Sequence, residues 1–372
     1  DGGNSQWSDT DRRNAYAREN GFRFVGMGVS GGEEGALKGP SMMPGGDDVV
    51  WPVLRPILES AAAVSDSGPC VTWCGRGSAG HFVKMVHNGI EYGDMQLIAE
   101  AWTLMRTGMS LSATEMREFF TSWNAGRLSS FLIDITAEIV AARDPQSGDP
   151  LVEHILDVAG QKGTGRWTVI AAVEAGIPLS TITAALDGRA LSARKSSRVE
   201  ASGIFDVPAT PLVGVSTSDL EQALYASKLI SYTQGFDLLR NASDSKDYGV
   251  DLAAISRVWK AGCIIRAAFL DRVYDAYTAH PDLPLLCLAP DFAEELRKAL
   301  PAWRRVVAAA VTSGIPVPAL SASLAWFDTL RTARGSASLI QAQRDHFGAH
   351  TYKRFDAPTD AVHSEWGQLE QL

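Results

Sequence analysis

Residues 80–108 read GHFVKMVHNGIEYGDMQLIAEAWTLMRTG. The stretch holds no proline, and its apolar residues recur at helical spacing, which predicts one long helix. Upstream the pattern is different. GFRFVGMGV (21–29) reads as a buried strand entering a Gly-rich loop, VWPVLRPILESAAAV (50–64) as a helix despite its prolines, and VTWCG (71–75) as a second strand. That alternation is the rhythm of an α/β domain. Downstream of residue 78 it stops, and the segments at 116–126, 129–143, 151–160, 167–176, 220–243, 252–277, 292–314 and 319–334 all carry the helical period. Turn-rich breaks such as DPQSGDP (144–150) and DVPATPLVGVSTSD (206–219) separate them. The expected architecture is a partial α/β domain of Rossmann type, followed by a large all-α domain and a C-terminal tail.

Composition narrows the function classes. The 372 residues are 45% hydrophobic and 21% charged, ordinary for a globular chain. No apolar run approaches the ~18 residues that would span a bilayer. The net charge is −9, with no basic run that would track a nucleic-acid backbone. The nearest cluster, RALSARKSSR (189–198), reads as a helix end. An acidic chain of this kind binds an anionic substrate only by gathering cations locally. The four cysteines are too few for a disulfide framework, and Cys70 and Cys74, in PCVTWC, read as buried thiols on one face of a strand. Reduced thiols point to a cytoplasmic location. The chain starts at Asp1 rather than Met, and a removed leader or a fragment would each explain that start.

Four motifs could carry chemistry. Gly26, Gly28 and Gly31 match G-x-G-x-x-G after a strand, but the following GEEGALKGPSMMPGG (32–46) reads as a loop rather than as the helix a pyrophosphate needs. The expectation there is a substrate loop offering backbone N–H groups and Ser30. In the long helix, at 100° per residue from Lys84, Asn88 falls at about 40°, Glu91 at about −20°, His87 at about −60° and Tyr92 at about 80°. Val83, Val86, Ile90 and Leu97 lie opposite. This polar arc is either a solvated face or a proton-transfer site with acid and base on one rigid element. GQKGTGRW (160–167) has the glycine spacing of a P-loop without its Lys-Ser/Thr end; Lys162 either meets a phosphate or sits in a plain interhelical turn. In RDHFGAH (344–350) the two histidines are spaced i, i+4, but Gly348 breaks the helix and no metal site is expected.

Read together, these strings are no longer independent. DGGNS (1–5), FVGMGVSGGEEGALKGPSMMPGG (24–46), AGHFVKMVHNGIEYGDMQLIAEAW (79–102), AGQKGTGRWT (159–168), ALYASKLISYTQGF (223–236), WKAGCIIRAAFL (259–270) and LIQAQRDHFGAHTY (339–352) resemble, in order, the decarboxylating 6-phosphogluconate dehydrogenases. The resemblance implies oxidation of 6-phosphogluconate by NADP at C3, loss of CO2 and protonation of the resulting enediol at C1 of ribulose 5-phosphate. It implies Lys84 as general base and Glu91 as the acid that protonates the enediol. Asn4, Ser30, Gly31, Gly32, His87, Asn88 and Tyr92 would hold the sugar acid, with Asn4 also toward the cofactor. Lys162 and Arg189 would face the phosphate. Arg344 and His350, in the tail, would complete the neighbouring subunit's site in a homodimer. No metal, nucleic acid or membrane is implied.

The chain departs from the family in three places. Arg166 stands where Lys is usual. The ending GQLEQL (367–372) is not Gly-rich, and no cofactor contact is carried over to it. The family's opening strand, G-x-G-x-x-G turn and helix are not found before Asp1, so the expected boundaries are 1–77 for the C-terminal part of a coenzyme domain, 78–331 for the helical substrate and dimerisation domain, and 332–372 for the tail. A chain lacking that opening would be inactive alone. The alternative from another class is a non-catalytic helical module that binds a phosphosugar or dimerises; a related hydroxyacid dehydrogenase would not need Lys162, Arg189 and Arg344 together.

Overall fold

The computed structural model describes residues 1–369; the last three residues of the GQLEQL ending lie outside the described residues. Contacts divide the chain into two units, Asp1–Leu324 and Ala325–Leu372.

The first unit opens with helix α1 (Trp7–Glu19), strand β1 (Val25–Ser30), helix α2 (Gly32–Lys38), strand β2 (Ser41–Gly46), helix α3 (Trp51–Ala61) and the short pair β3 (Val64–Ser65) and β4 (Gly68–Pro69). Helix α4 (Ala79–Thr103) follows and ends in a π-type turn, Leu104–Gly108. Then come α5 (Ala113–Asn124), α6 (Phe131–Ala141), α7 (Thr164–Ala175), α8 (Ser180–Ser192), α9 (Lys195–Phe205), α10 (Thr217–Ser245), α11 (Leu252–Val258), α12 (Leu270–Ala279) and α13 (Pro290–Thr312), and the division after Leu324 falls within α14 (Pro318–Leu330). Ser112 and Ser216 each close a capping box with the acid three residues on, which fixes where α5 and α10 begin.

Helix α4 is the axis of this unit. It packs against β1 and β2 on one side and α7, α8 and α10 on others, so its residues are buried nearly all round. The face opposite Val83 and Val86 is therefore not a solvated one. A Cβ on Gly28 would lie 2.1 Å from Lys84 Cβ, and one on Gly80 would lie 2.2 Å from the Gly26 carbonyl oxygen. These glycines let helix and strand touch backbone to backbone. The Gly28→Ala variant should therefore lose about 1–3 kcal/mol of stability, because neither clashing atom is a flexible chain end. Chemical denaturation checks it; unchanged stability would show that α4 can back away from β1.

Several sequence expectations need correction. The 32–46 segment is a helix and a strand, not a loop. Glu33, Glu34, Ala36, Leu37 and Lys38 are good helix formers on either side of Gly35, with a Lys38–Glu34 bridge of 2.9 Å, and β2 pairs antiparallel with β1 from Val25↔Gly46 to Ser30↔Ser41. The 71–75 segment forms no strand; it and Arg76 make only isolated parallel bridges to β2, Met42↔Val71 and Gly46↔Arg76, since Pro44 has no N–H to continue a ladder. The thiols need no such correction: all four are free and buried, as expected. Residues 151–160 form just one 3-10 turn, Leu151–His154. Beyond it the chain is spread over α8 and α9: the Asp157 carboxylate bonds Lys195 at 2.7 Å and Arg198 at 2.8 Å, and Ala159 N donates to Ser192 Oγ at 2.9 Å. Residues 252–277 break into α11 and α12 around Gly262, whose φ of +63° no helix accommodates. Helix α1, rich in charge, carried no apolar period and was not expected.

The second unit holds helix α15 (Ala337–Gly348) and the pair β5 (Tyr352–Lys353) and β6 (Ala361–Val362). Among the described residues no helix is long and apolar enough to cross a membrane.

Candidate active site

The polar arc of α4 is a hydrogen-bonded run. Lys84 Nζ donates to Asn88 Oδ1 at 2.9 Å, and Asn88 Nδ2 donates to Glu91 Oε2 at 2.8 Å. Lys84 Nζ also lies 3.5 Å from His87 Nδ1, while His87 Nε2 meets Ser30 Oγ at 3.2 Å. Ser30 ends β1 and is seated on the helix by the Gly28 contact, so strand and helix deliver their side chains to one place. Lys84 and His87 are buried, 5% and 0% exposed.

Burial sets the protonation states. It pushes the Lys84 ammonium below the usual lysine range, with the Glu91 charge opposing in part. It pushes the Glu91 carboxyl up, against the pull of Lys84 and the Asn88 hydrogen bond. Burial and the neighbouring Lys84 keep His87 neutral, well below an ordinary imidazole. A base made easier to deprotonate and an acid made easier to protonate, about two helical turns apart on one face, are what proton shuttling through a bound substrate requires.

Around this run the structure places the other expected residues unevenly. Gly31, at φ +130°, is the N-cap of α2; a Cβ there would lie 2.6 Å from the Gly262 carbonyl oxygen. Gly26 and Gly28 are spent on packing against α4, which leaves no pyrophosphate turn in that G-x-G-x-x-G. Tyr92 is buried, and the Arg189 guanidinium stacks 3.5 Å above its ring. Arg189 also donates to the Gly160 carbonyl at 3.1 Å, so it holds the loop that carries the exposed Lys162. Asn4 is exposed next to Asp1, whose backbone bonds β1 through Val25 O at 2.9 Å and Met27 N at 2.8 Å. Arg344 and His350 belong to the second unit and are exposed there. His346 and His350 do not form a cluster with a third ligand; among the described residues no such cluster exists.

Trp259 carries no functional signal in its local sequence. Its fully buried ring stands edge-on to His87, with centroids 5.6 Å apart, and Nε1 donates to Met43 Sδ at 3.4 Å. It braces the imidazole from a segment about 170 residues away, and nothing in local spacing could have announced that.

Residues 80–366 match the family described as 6-phosphogluconate dehydrogenase, C-terminal domain, and residues 1–75 match the NAD binding domain of 6-phosphogluconate dehydrogenase. The chain belongs to the 6-phosphogluconate dehydrogenase family. A relative from Treponema pallidum, named 6-phosphogluconate dehydrogenase, decarboxylating, is 50% identical over 98% of this chain and 77% of its own length. One of the same name from Synechococcus elongatus is 52% identical over 98% of this chain and 79% of its own length. The solved Plasmodium falciparum 6-phosphogluconate dehydrogenase, studied in its apo form, with its cofactor NADP+ and with its substrate 6-phosphogluconate, superposes with a TM-score of 0.95. It shares 44% identity, covering 98% of this chain and 79% of that one. The fold class is that of the family, a Rossmann-type NAD-binding domain followed by a mostly helical domain. The non-catalytic module is set aside, since the family is one of oxidoreductases.

Proposed function

We propose that this chain carries out oxidative decarboxylation of 6-phospho-D-gluconate to D-ribulose 5-phosphate and CO2, reducing NADP, with Lys84 and Glu91 as its base and acid. The observation that carries the assignment is the Lys84–Asn88–Glu91 run on one face of α4. Neutral Lys84 takes the proton of the 3-hydroxyl. As ammonium it then gives that proton to the C3 carbonyl oxygen, which takes up the electron pair of the breaking bond to CO2 and becomes an enol hydroxyl. Glu91, in its carboxylic acid form, protonates the enediol carbon while Lys84 takes back the enol proton, leaving the ketone. Asn88 holds both side chains on the substrate side, and Ser30 and His87 offer hydrogen bonds to sugar hydroxyls.

NADP, when bound, accepts the C3 hydride. Asn4 is the residue here matched to it, and the glycines of β1 do not cradle its pyrophosphate. Gly31 and Gly32, at the start of α2, offer backbone N–H groups to the sugar acid. Tyr92, Lys162 and Arg189 take the phosphate end. Lys84, Lys162, Arg189 and Arg344 supply the cations that an acidic chain must gather for this substrate. Arg344 and His350 complete the site of a second copy in a homodimer. The domain boundaries 1–77, 78–331 and 332–372 and a cytoplasmic location belong to the same reading.

The pH dependence of C1 proton exchange in ribulose 5-phosphate tests the pair. Exchange runs the last step backward, so Glu91 must be a carboxylate and Lys84 an ammonium. The rate falls on the acid side as Glu91 protonates and on the alkaline side as Lys84 deprotonates. Burial raises the first pKa and lowers the second, so the bell should be narrower than a free glutamate and lysine would give. A flat profile, or limbs that persist in Glu91→Gln and Lys84→Met, would assign exchange to other groups.

A further inference from the structure

Between Arg344 and His346 stands an acid that the sequence pattern leaves unexplained. Asp345 is fully buried in the second unit. Its carboxylate accepts four hydrogen bonds. Thr351 N at 2.9 Å and His363 Nδ1 at 2.9 Å reach Oδ1; Ser364 N at 3.0 Å and Trp366 Nε1 at 2.9 Å reach Oδ2. Two bonds per oxygen fill the acceptor capacity of an ionised carboxylate. Burial opposes that charge, but the bonds from His363, Ser364, Trp366 and Thr351 outweigh it and hold the group at about 2.

Helix energetics do not account for an anion here. Asp345 lies in the last turn of α15, where the helix dipole disfavours negative charge. Its partners all come from the returning chain, 351–366. The reversal is tight. Ala349 at φ +48° and Thr351 at φ +60° both adopt the left-handed region without being glycine, and His350 sits between them. Such backbone persists only where surrounding bonds over-determine it. The Thr351 N bond to Asp345 closes this reversal, and Gln341 Nε2 donates to Thr351 O at 2.5 Å while Gln341 Oε1 accepts from Arg344 at 3.0 Å.

We propose that Asp345 is a positioning residue, which ties the returning chain to α15 and so presents Arg344 and His350 together as a preformed arm for an anionic substrate. The inference rests on the reading of Arg344 and His350 as substrate residues. A preset arm loses less conformational freedom on binding than two free side chains on a loose tail.

Calorimetric affinity for 6-phosphogluconate tests it on the full chain. Asp345→Asn keeps shape and volume but offers one acceptor oxygen instead of two, and should weaken binding about tenfold. In the Arg344→Ala/His350→Ala background, the same Asp345→Asn change should add less than about twofold, because the residues it acts through are gone. An equal loss in both backgrounds would make Asp345 merely structural and overturn the proposal. So would full affinity in Asp345→Asn where Arg344→Ala is weak. If Arg344→Ala/His350→Ala itself binds at full strength, the tail reading falls and takes the proposal with it, a result distinct from the other two.

Discussion

In D2O, the Lys84→Met chain should exchange the C1 protons of ribulose 5-phosphate about 100- to 10,000-fold more slowly than the parent, the usual contribution of one positioned acid or base. Exchange requires no net hydride transfer, so it isolates the two groups of α4 from the redox step. Lys84 as ammonium steadies the enediolate oxygen; Met fills a similar volume but cannot donate. Glu91→Gln should lose a comparable factor because an amide cannot take the proton. In the parent chain, exchange should be confined to one of the two C1 protons. Glu91 approaches from one face only, fixed by its Asn88 bond at 2.8 Å. Proton NMR reads both rate and position. A Lys84→Met chain within about threefold of the parent would remove Lys84 from the chemistry, and scrambling of both protons would show that Glu91 is not held.

Lys228→Met should cost about 3–5 kcal/mol of stability, the range for leaving one member of a buried pair uncompensated. Lys228 Nζ lies 2.5 Å from Asp94 Oδ2, between α10 and α4, and both side chains are almost wholly buried. Asp94 Oδ1 has no hydrogen-bond partner, so the lysine and the longer Tyr232 bond at 3.4 Å are its support. The double variant Asp94→Leu/Lys228→Met, with no charge left to bury, should recover most of the loss. The pH sign follows from the acid. Burial already raises the Asp94 carboxyl above its usual range, with Lys228 pulling the other way. Without Lys228 the folded-state value climbs further above the unfolded one. The single variant should then lose stability as pH rises from the unfolded value toward the folded one, and be least impaired in acid. Urea denaturation at two pH values measures this. A loss below about 1 kcal/mol, independent of pH, would show that water reaches the pair.

Much of the site was legible from spacing, because an α-helix converts sequence distance into angle. Lys84, His87, Asn88 and Glu91 lie within two turns of one helix, and the arc drawn from 100° per residue is the hydrogen-bonded run in the structure. The choice between a solvated face and a proton-transfer site was not legible. It depends on β1 covering that face, and that contact rests on a glycine more than fifty residues upstream. Glycine reads as loop or fingerprint in a local window, and this is why 32–46 was expected to be a loop and Gly26 and Gly28 fitted a nucleotide motif. Antiparallel pairing with β1 and close packing on α4 outweighed those local preferences.

The sequence by itself determined the two-part order, the long helices, the polar arc and the family, since periodicity and long ordered strings are local properties that survive without coordinates. Tertiary structure alone decided which glycines touch a helix, that Trp259 backs His87, that residues 151–160 are drawn out along α8 and α9, and that Asp345 faces inward. Each of these depends on atoms brought together across about six to 170 residues. Burial, the largest influence on the Lys84 and Glu91 proton affinities, exists only once those distant segments have closed over them.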